Sequence, residues 1–180
     1  MNTLVRHTFQ LAADEPREIR TLLDTAFDGD FADEDFEHSL GGMHVLVREA
    51  GGLVAHGSVV QRRVVHQGQA LRVGYVEAVA VREDRRRRGL GGLVMAELEQ
   101  IIARAYVFGA LSASDDGARL YAVRGWRLWD GPIHVLGPGG RAPIPEEDEG
   151  FTYVWGPPGG ALPDPAAGRL DFDWRDGDVL

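Results

Sequence analysis

Residues 75–98 of the 180-residue chain constrain its fold more than any other segment, and they read YVEAVAVREDRRRRGLGGLVMAEL. An apolar run ends in charge, an arginine-rich turn follows, and glycines open a stretch with the apolar periodicity of a helix. Arg86, Gly89 and Gly91 fit the pattern (Arg/Gln)-x-x-Gly-x-(Gly/Ala). Glycines let a backbone approach an anion closely, and the first N–H groups of a helix have no intrahelical partner. The spacing therefore predicts a strand, a phosphate-binding turn and a helix, with a solvated basic turn as the alternative.

The composition excludes several classes of site and partner. The net charge of −9 argues against nucleic acid as a partner and favours cationic ligands. The chain contains no cysteine, and all 19 of its basic residues are arginine, so disulfides, thiolate metal sites and cysteine or lysine nucleophiles are excluded. The N-terminus lacks a signal-peptide layout, and no apolar run approaches the roughly 20 residues of a membrane helix. We therefore expect a cytoplasmic protein without a membrane partner.

Apolar periodicity predicts strands and helices that form one α/β domain over residues 1–180. The apolar share of 44% is that of an ordinary globular core. Strands are expected at 4–11, 43–48, 53–61, 71–81, 107–111, 126–129, 134–136 and 151–155, and helices at 16–27, 90–105 and 115–123. A Pro/Gly-rich linker and an acidic tail, residues 157–180, are expected after the last strand.

This element order, with Val79-Ala80-Val81 before RRRRGLG and a later short helix that holds Tyr121, resembles the GNAT acyltransferase superfamily. The resemblance implies an α/β (α+β) fold with a central mixed, mostly antiparallel sheet flanked by helices. It also implies that acetyl-CoA, as co-substrate, binds where the fourth and fifth strands splay apart. The residues implied to bind it lie on the fourth strand and the turn after it: Val79, Ala80, Val81, Arg86, Arg87, Arg88, Gly89, Leu90, Gly91 and Gly92.

Five further motifs are more specific than the turn. They are FEHSLGGMH (36–44), QRR (61–63), GYVEAVAVR (74–82), RLYAVRGW (119–126) and DWRDGDV (173–179), and they resemble the aminoglycoside 2'-N-acetyltransferases. The resemblance spans most of the chain. It implies transfer of an acetyl group to the 2'-amine of an aminoglycoside, by direct attack in a ternary complex, and hence antibiotic resistance.

Glu77 interrupts an apolar strand, which is a local inconsistency typical of a functional site. Burying an unpaired carboxylate is costly, so Glu77 is expected to face a cleft, a water or a cation, or to form a buried pair with an arginine. The resemblance implies that it accepts a proton from the amine through water. The family commonly has glycine at the next position, where this chain has Ala78.

The resemblance implies a second catalytic residue, Tyr121, which gives a proton to the departing thiolate. From the residues alone, a packing role beside Leu120 is equally consistent with the sequence.

Acidic clusters occur in three separate segments, near residues 30–35, 146–149 and 171–178. Charge runs are usually solvated faces, but three such loops could also converge on a polycationic substrate. The resemblance places substrate-contacting positions at Asp30, Asp35, Glu77, Ala78, Ser112, Glu146, Glu147, Asp178 and the terminal carboxylate of Leu180. The family often ends in tryptophan, so any stacking by that ring is lost here.

Two other functions remain open on the sequence alone: acetylation of another cationic amine, such as a polyamine, an amino acid or a protein N-terminus, and a non-catalytic CoA-binding module. The histidines show no H-x-x-x-H or H-E-x-x-H spacing, so no metal is expected. A homodimer is possible through exposed strands of the C-terminal half, as in many GNAT proteins.

Overall fold

The computed structural model describes residues 1–144 and 150–180, apart from the side chains of Asp115 and Asp116. These residues form four α-helices and ten strands. The helices are α1 (Glu15–Ala26), α2 (Asp33–His38), α3 (Leu90–Ala105) and α4 (Asp115–Val123). The strands are β1 (Asn2–His7), β2 (Met43–Glu49), β3 (Gly52–His66), β4 (Gln69–Val81), β5 (Phe108–Ser112), β6 (Arg127–Leu128), β7 (Ile133–Gly137), β8 (Gly140–Pro143), β9 (Thr152–Trp155) and β10 (Leu170–Asp173).

The strands form one mixed sheet whose main path runs β6-β9-β5-β4-β3-β10-β7-β8, with β2 paired to β3 and β1 paired to β2. The β4–β5 and β7–β10 pairs are parallel. The β1–β2, β2–β3, β3–β10, β5–β9, β6–β9 and β7–β8 pairs are antiparallel. The expected mixed, mostly antiparallel sheet flanked by helices is therefore confirmed.

The chain divides into two compact units: unit 1 (Met1–Val60 and Val76–Ile101) and unit 2 (Gln61–Tyr75 and Ile102–Leu180). In unit 1 the apolar face of α1 is buried, and Ile19, Leu22 and Leu23 form a cluster with Leu46, Leu53 and Ala80. The apolar residues that recur with the helical period of α1 thus pack against apolar side chains on one face of the strands.

The start of α1 is fixed by the buried carboxylate of Glu15. It accepts the backbone N–H of Ala12 at 2.8 Å and pairs with Arg6 at 2.8 Å and Arg48 at 3.2 Å. Burial by itself raises the pKa of Glu15, but the Ala12 N–H and the two arginines together hold it below its usual value. Because Arg6 lies on β1 and Arg48 on β2, one side chain joins a helix to two strands.

In unit 2 the strand β10 lies in the predicted acidic tail, where no strand was predicted. Leu170–Asp173 pairs parallel with β7 and antiparallel with β3. Asp171 is buried in this strand because Arg141 and Arg169 pair with its carboxylate at 3.0 and 2.7 Å. The strand β8, in a Pro/Gly-rich segment, was also not predicted.

Smaller differences concern the ends of elements. The predicted first strand, residues 4–11, ends at His7 because Thr8–Gln10 forms a 3-10 helix. The remaining predicted strands and helices are present, with ends that differ by a few residues, and β3 runs on to His66. No helix in the described part of the chain is long and apolar enough to cross a membrane.

Candidate active site

The predicted anion-binding turn joins β4 to α3 in unit 1. A 3-10 turn at Glu83–Arg85 follows the strand, and α3 begins at Leu90. Arg87 and Gly89 both have left-handed backbones, with φ of 60° and 80°. A Cβ added at Gly89 would meet no atom within 4 Å, so glycine is favoured there by its φ and not by crowding. The turn therefore presents its backbone to open space at the N-terminus of a helix.

Two arginines near the turn are held by acidic neighbours. Arg82 binds Asp84 at 2.7 Å, and Arg85 binds Glu49 at 2.8 Å and Asp84 at 2.6 Å. The hydrogen bond from Arg82 lowers the pKa of Asp84, and that from Arg85 lowers the pKa of Glu49. Both acids therefore stay ionised at neutral pH, and these two guanidinium groups brace the turn.

The arginines of the motif itself divide into two groups. Arg86 donates to the carbonyl of Val81 at 3.3 Å and to that of Ala26, at the end of α1, at 3.1 Å. Its side chain thus holds the turn against α1. Arg87 and Arg88 are exposed. Arg86 is exposed as well, so the two groups differ in the hydrogen bonds that Arg86 donates to backbone carbonyls and not in exposure.

Glu77 lies where the residues of β4 change from buried to partly exposed. Residues 73–76 are buried, whereas Glu77, Ala78 and Val79 are each partly exposed. Ala78 has a φ of 53°, a left-handed conformation inside a strand that is typical of a β-bulge. A residue with a Cβ occupies this conformation at a cost of about 1–2 kcal/mol. The position that is glycine in the resembling family is therefore one where glycine is conformationally favoured.

Side chains of β3 hold both carbonyls at this irregularity. His56 Nδ1 lies 2.9 Å from the Ala78 carbonyl oxygen, and Ser58 Oγ donates to the Glu77 carbonyl at 3.4 Å. His56 Nε2 in turn lies 3.0 Å from Nδ1 of His44. Burial lowers the pKa of His44 to about 4 and that of His56 to about 3, so both rings are neutral at pH 7.

In the first acidic segment, near residues 30–35, one of the predicted substrate-binding acids has a structural role. The Asp35 carboxylate accepts the backbone N–H of Ala32 at 3.0 Å at the start of α2, whereas Asp30 is exposed. Arg20 lies over the rings of Phe31 and Phe36, at 6.0 and 5.9 Å from their centroids. Both phenylalanines also pack against the apolar cluster of α1, so aromatic side chains anchor this segment.

Tyr121 lies on α4 in unit 2 and is 7% exposed. Its ring lies 6.2 Å from the rings of both Trp126 and Tyr153. A Cβ added at Gly117 would come within 3.1 Å of the Tyr121 ring, so glycine one turn earlier makes room for the phenol ring. The aromatic neighbours fix the orientation of this side chain.

The remaining predicted substrate positions are spread over unit 2. Ser112 is exposed at the end of β5, opposite Thr152 of β9. Asp178 is exposed and accepts the Leu180 N–H at 3.3 Å, while the Leu180 side chain is buried, with 5% exposed. Glu146 and Glu147 lie outside the described residues.

Sequence reasoning did not assign a role to His44, His56 or Arg62. All three are buried polar side chains in apolar strands, which is the signal that singled out Glu77. Among the residues that the structure describes, no group of three or more His, Cys, Asp or Glu side chains is arranged to hold a metal ion.

Comparison with known proteins identifies the family to which the chain is similar. Residues 9–129 match the family model described as acetyltransferase (GNAT) domain. The chain is 49% identical over 174 residues to an aminoglycoside 2'-N-acetyltransferase of Mycolicibacterium fortuitum, covering 96% of this chain and 89% of that protein.

Solved structures of GNAT proteins share the fold. YhbS from Escherichia coli, in complex with CoA, aligns with a TM-score of 0.62 and 19% identity over 96% of this chain and 90% of its own. A GNAT acetyltransferase from Brucella melitensis, in complex with acetyl-CoA, aligns with a TM-score of 0.53 and 18% identity over 70% and 83% of the two chains.

Proposed function

We propose that this chain, which belongs to the GNAT acetyltransferase family, transfers an acetyl group from acetyl-CoA to the 2'-amine of an aminoglycoside. The observation that carries the proposal is the left-handed turn at Arg87 and Gly89, which opens α3 after a strand that contains Glu77. Homology to the mycobacterial enzyme over nearly the whole chain supports the acceptor.

The turn suits the pyrophosphate of acetyl-CoA. The backbone around Gly89 faces open space. The first turn of α3, which lies within the described residues, carries no acidic residue that would repel an anion. Helix N–H groups and the helix dipole attract phosphate at such a terminus. The exposed Arg87 and Arg88 add positive charge. The N–H groups of Val79 and Val81 are proposed to pair with the pantetheine arm as a further strand would.

The proposed reaction needs no covalent enzyme intermediate, in keeping with a chain that lacks cysteine and lysine. The acceptor amine attacks the thioester carbonyl, a C–N bond forms, and the C–S bond breaks as the tetrahedral intermediate collapses. Glu77 takes the proton that leaves the amine, through a water molecule. Because Glu77 is partly exposed, solvent can then remove that proton.

Tyr121 is the proposed acid for the departing thiolate. Its phenol gives a proton to sulfur, so that the products are an amide and a free thiol. The aromatic side chains around it, Trp126 and Tyr153, support a fixed ring orientation, which a proton donor needs.

The acceptor is proposed to be held by carboxylates, because an aminoglycoside carries several ammonium groups and few apolar atoms. Asp30 and Asp178 are exposed acids in the described residues, and Asp35 and Ser112 are further proposed contacts. Charge-assisted hydrogen bonds from ammonium groups to carboxylates are the strong kind. Leu180 is a further proposed contact.

A thiol-release assay tests the proposal with two kanamycin-type sugars that differ only at the 2' position, one with an amine and one with a hydroxyl. We expect release with the amine and none above background with the hydroxyl. A polyamine and a peptide with a free N-terminus are assayed separately as alternative acceptors. Equal rates on the two sugars would contradict the regiospecificity, and faster turnover of the polyamine or peptide would assign a different acceptor.

A cellular test follows from the same chemistry. Expression of the chain in a susceptible bacterium is expected to raise the inhibitory concentration of the 2'-amino sugar and leave that of the 2'-hydroxyl sugar unchanged. The Glu77→Gln variant, expressed at the same level, separates resistance by acetylation from resistance by simple binding.

A further inference from the structure

The irregularity at Ala78 is held by side chains of the neighbouring strand. His56 and Ser58 are two residues apart on β3, both are fully buried, and they reach the carbonyls of Ala78 and Glu77. Side chains two apart on a strand share one face of the sheet. Two polar side chains of β3 therefore act on two consecutive peptide groups of β4, one of which belongs to the proposed catalytic base.

The direction of each hydrogen bond follows from chemistry. The Ala78 carbonyl can only accept, so Nδ1 of His56 carries the proton. A neutral ring then has an acceptor at Nε2, so Nδ1 of His44, 3.0 Å away, must donate to it. Both rings are neutral because burial opposes their charging. Both histidines are thereby fixed as Nδ1–H tautomers.

The chain of hydrogen bonds continues to the N-terminal segment. With its proton on Nδ1, His44 accepts at Nε2, and Thr8 Oγ1 donates to it over 2.8 Å. The Gly42 carbonyl, the other acceptor near this hydroxyl, is farther away at 3.3 Å. Thr8 Oγ1 itself accepts the backbone N–H of Gly41 at 2.8 Å. One consistent arrangement of protons thus runs from the Gly41 N–H to the Ala78 carbonyl.

We propose that His56, oriented by His44 and Thr8, is a positioning residue that fixes the backbone at Ala78 and thereby the placement of the Glu77 carboxylate. The proposal rests on the proposed acetyl transfer for its kinetic consequence. The Ala78 backbone is in a conformation that L-residues rarely adopt, so it relaxes unless a partner holds it. The Ser58 bond is long, at 3.4 Å, which leaves His56 as the stronger of the two contacts.

A purely structural buried network would lower stability without selecting one kinetic step. A positioning role predicts a loss in kcat, because the ground-state binding of acetyl-CoA does not need Glu77 in its reactive orientation. These two roles are therefore distinguishable by the split between kcat and the binding constants.

The kinetic test compares His56→Leu, which has no donor, with His56→Asn, whose side-chain N–H group mimics Nδ1–H. We expect His56→Leu to lose at least tenfold in kcat, with the Kd of acetyl-CoA changed less than twofold, and His56→Asn to recover most of that loss. His66→Leu is the matched control, since His66 is a buried histidine of the same strand whose Nδ1 lies 3.0 Å from another carbonyl, that of Arg169. It is expected to keep kcat within twofold. A folded His56→Leu protein with the kcat of the wild type overturns the proposal.

If His56→Leu does not fold, Thr8→Val provides the same test at the half-buried end of the chain of hydrogen bonds. We expect a loss of about twofold to fivefold in kcat with Thr8→Val and none with Thr8→Ser, which keeps the hydroxyl. Equal kcat for Thr8→Val, Thr8→Ser and wild type would contradict the orienting role of Thr8.

Nitrogen-15 NMR of the imidazole rings tests the arrangement without any assay of activity. Both His44 and His56 are expected as neutral Nδ1–H tautomers at pH 7. An Nε2–H tautomer at His56 overturns the proposal even in an active enzyme. If the wild type shows these tautomers but no acetyl transfer to any acceptor, the proposed function fails and the hydrogen-bond arrangement stands.

Discussion

Nη1 of Arg62 donates a hydrogen bond to the Val179 carbonyl over 2.8 Å, so a residue of β3 holds the segment near residue 179 in place. The same guanidinium binds Asp173 through its side chain at 2.8 Å. It also lies between two rings, 4.8 Å from the centroid of Tyr75 and 5.0 Å from that of Phe172. A buried cation is thus matched by a carboxylate, a carbonyl and two aromatic faces.

Replacing Arg62 by methionine is expected to lower the free energy of unfolding by about 3 kcal/mol, because the partners of a buried charge are left without a donor. Urea unfolding measures the effect. The neighbouring Arg63 has an exposed side chain, so Arg63→Met is the matched control and is expected to change the stability by less than about 0.5 kcal/mol. Similar midpoints for the two variants would show that Arg62 contributes no more than a surface arginine.

Removing the proposed base should act on the chemical step. Glu77→Gln keeps the size of the side chain but cannot accept a proton, so we expect kcat to fall by about 10²–10⁴-fold with little change in acetyl-CoA binding. The pH profile of the residual rate is expected to lose the contribution of a carboxylate. Glu83→Gln, an exposed acid of the adjacent turn, is the control. Wild-type rate and pH profile in Glu77→Gln would remove Glu77 from the mechanism.

The left-handed backbone at Ala78 predicts an unusual response to glycine. Ala78→Gly relieves a positive φ, which offsets the usual entropic cost of glycine in a strand, so the free energy of unfolding should stay unchanged or rise by up to about 1 kcal/mol. Ala80→Gly, two residues on and buried, should lower it by about 1 kcal/mol. Chemical denaturation of the two variants compares them directly. A loss of stability in Ala78→Gly as large as that in Ala80→Gly would contradict the assigned backbone conformation.

The buried histidines predict a loss of stability in mild acid. Burial lowers the pKa of His44 from 6.5 to about 4, aided by the nearby His7, and that of His56 to about 3, aided by His44 and opposed by the Ala78 carbonyl. Below pH 6.5 these histidines are protonated in the unfolded chain but stay neutral in the folded chain. The free energy of unfolding therefore decreases as the pH is lowered, by about 3 kcal/mol for His44 alone between neutral pH and pH 4.

The measurement is urea unfolding between pH 7.5 and pH 5, where carboxylates such as Glu15, whose pKa lies below its usual value, remain ionised. A His44→Gln/His56→Asn double variant should show a flatter dependence over this range. The interpretation fails if the slopes for wild type and double variant coincide.

The arginines of the turn are expected to differ in their roles. Arg87→Gln/Arg88→Gln should raise the Kd of acetyl-CoA by about threefold to tenfold and weaken its dependence on salt, because both side chains are exposed beside the proposed phosphate site. Arg86→Gln should instead lower the melting temperature, since Arg86 holds the carbonyls of Val81 and Ala26. Calorimetric titration and thermal unfolding separate the two effects. Equal Kd values for the double variant and the wild type would contradict the assignment.

The sequence was most informative where a periodic pattern and a special residue coincide. The apolar stripe from Leu90 and the glycines before it predicted α3 and the turn, because helix period and backbone freedom are local properties. β10 was missed for the opposite reason. Its four residues include Asp171, whose carboxylate is paired in the buried strand with the neighbouring Arg169 and with Arg141, which comes from β8. Partners distant in sequence are not visible in a local pattern.

The site was predicted unevenly for the same reason. Glu77 stood out as a charge in an apolar strand, but His44 and His56, twelve residues apart on β2 and β3, gave no spacing signal. Their pairing depends on the register that sets His44 opposite Ser58 and Leu46 opposite His56. A left-handed φ at an alanine is likewise a consequence of tertiary structure, because alanine itself disfavours it.

The place of β10 in the sheet has a consequence for solubility. Leu170–Asp173 lies between β3 and β7 and pairs with Val64 and Val65 of the first and with residues 133–136 of the second. Proteolytic loss of these residues would open two sheet edges at once, and each would offer unpaired N–H and C=O groups to the same segment of another molecule. Cleavage in the preceding Pro/Gly-rich segment, once β10 dissociates, is therefore expected to lead to aggregation.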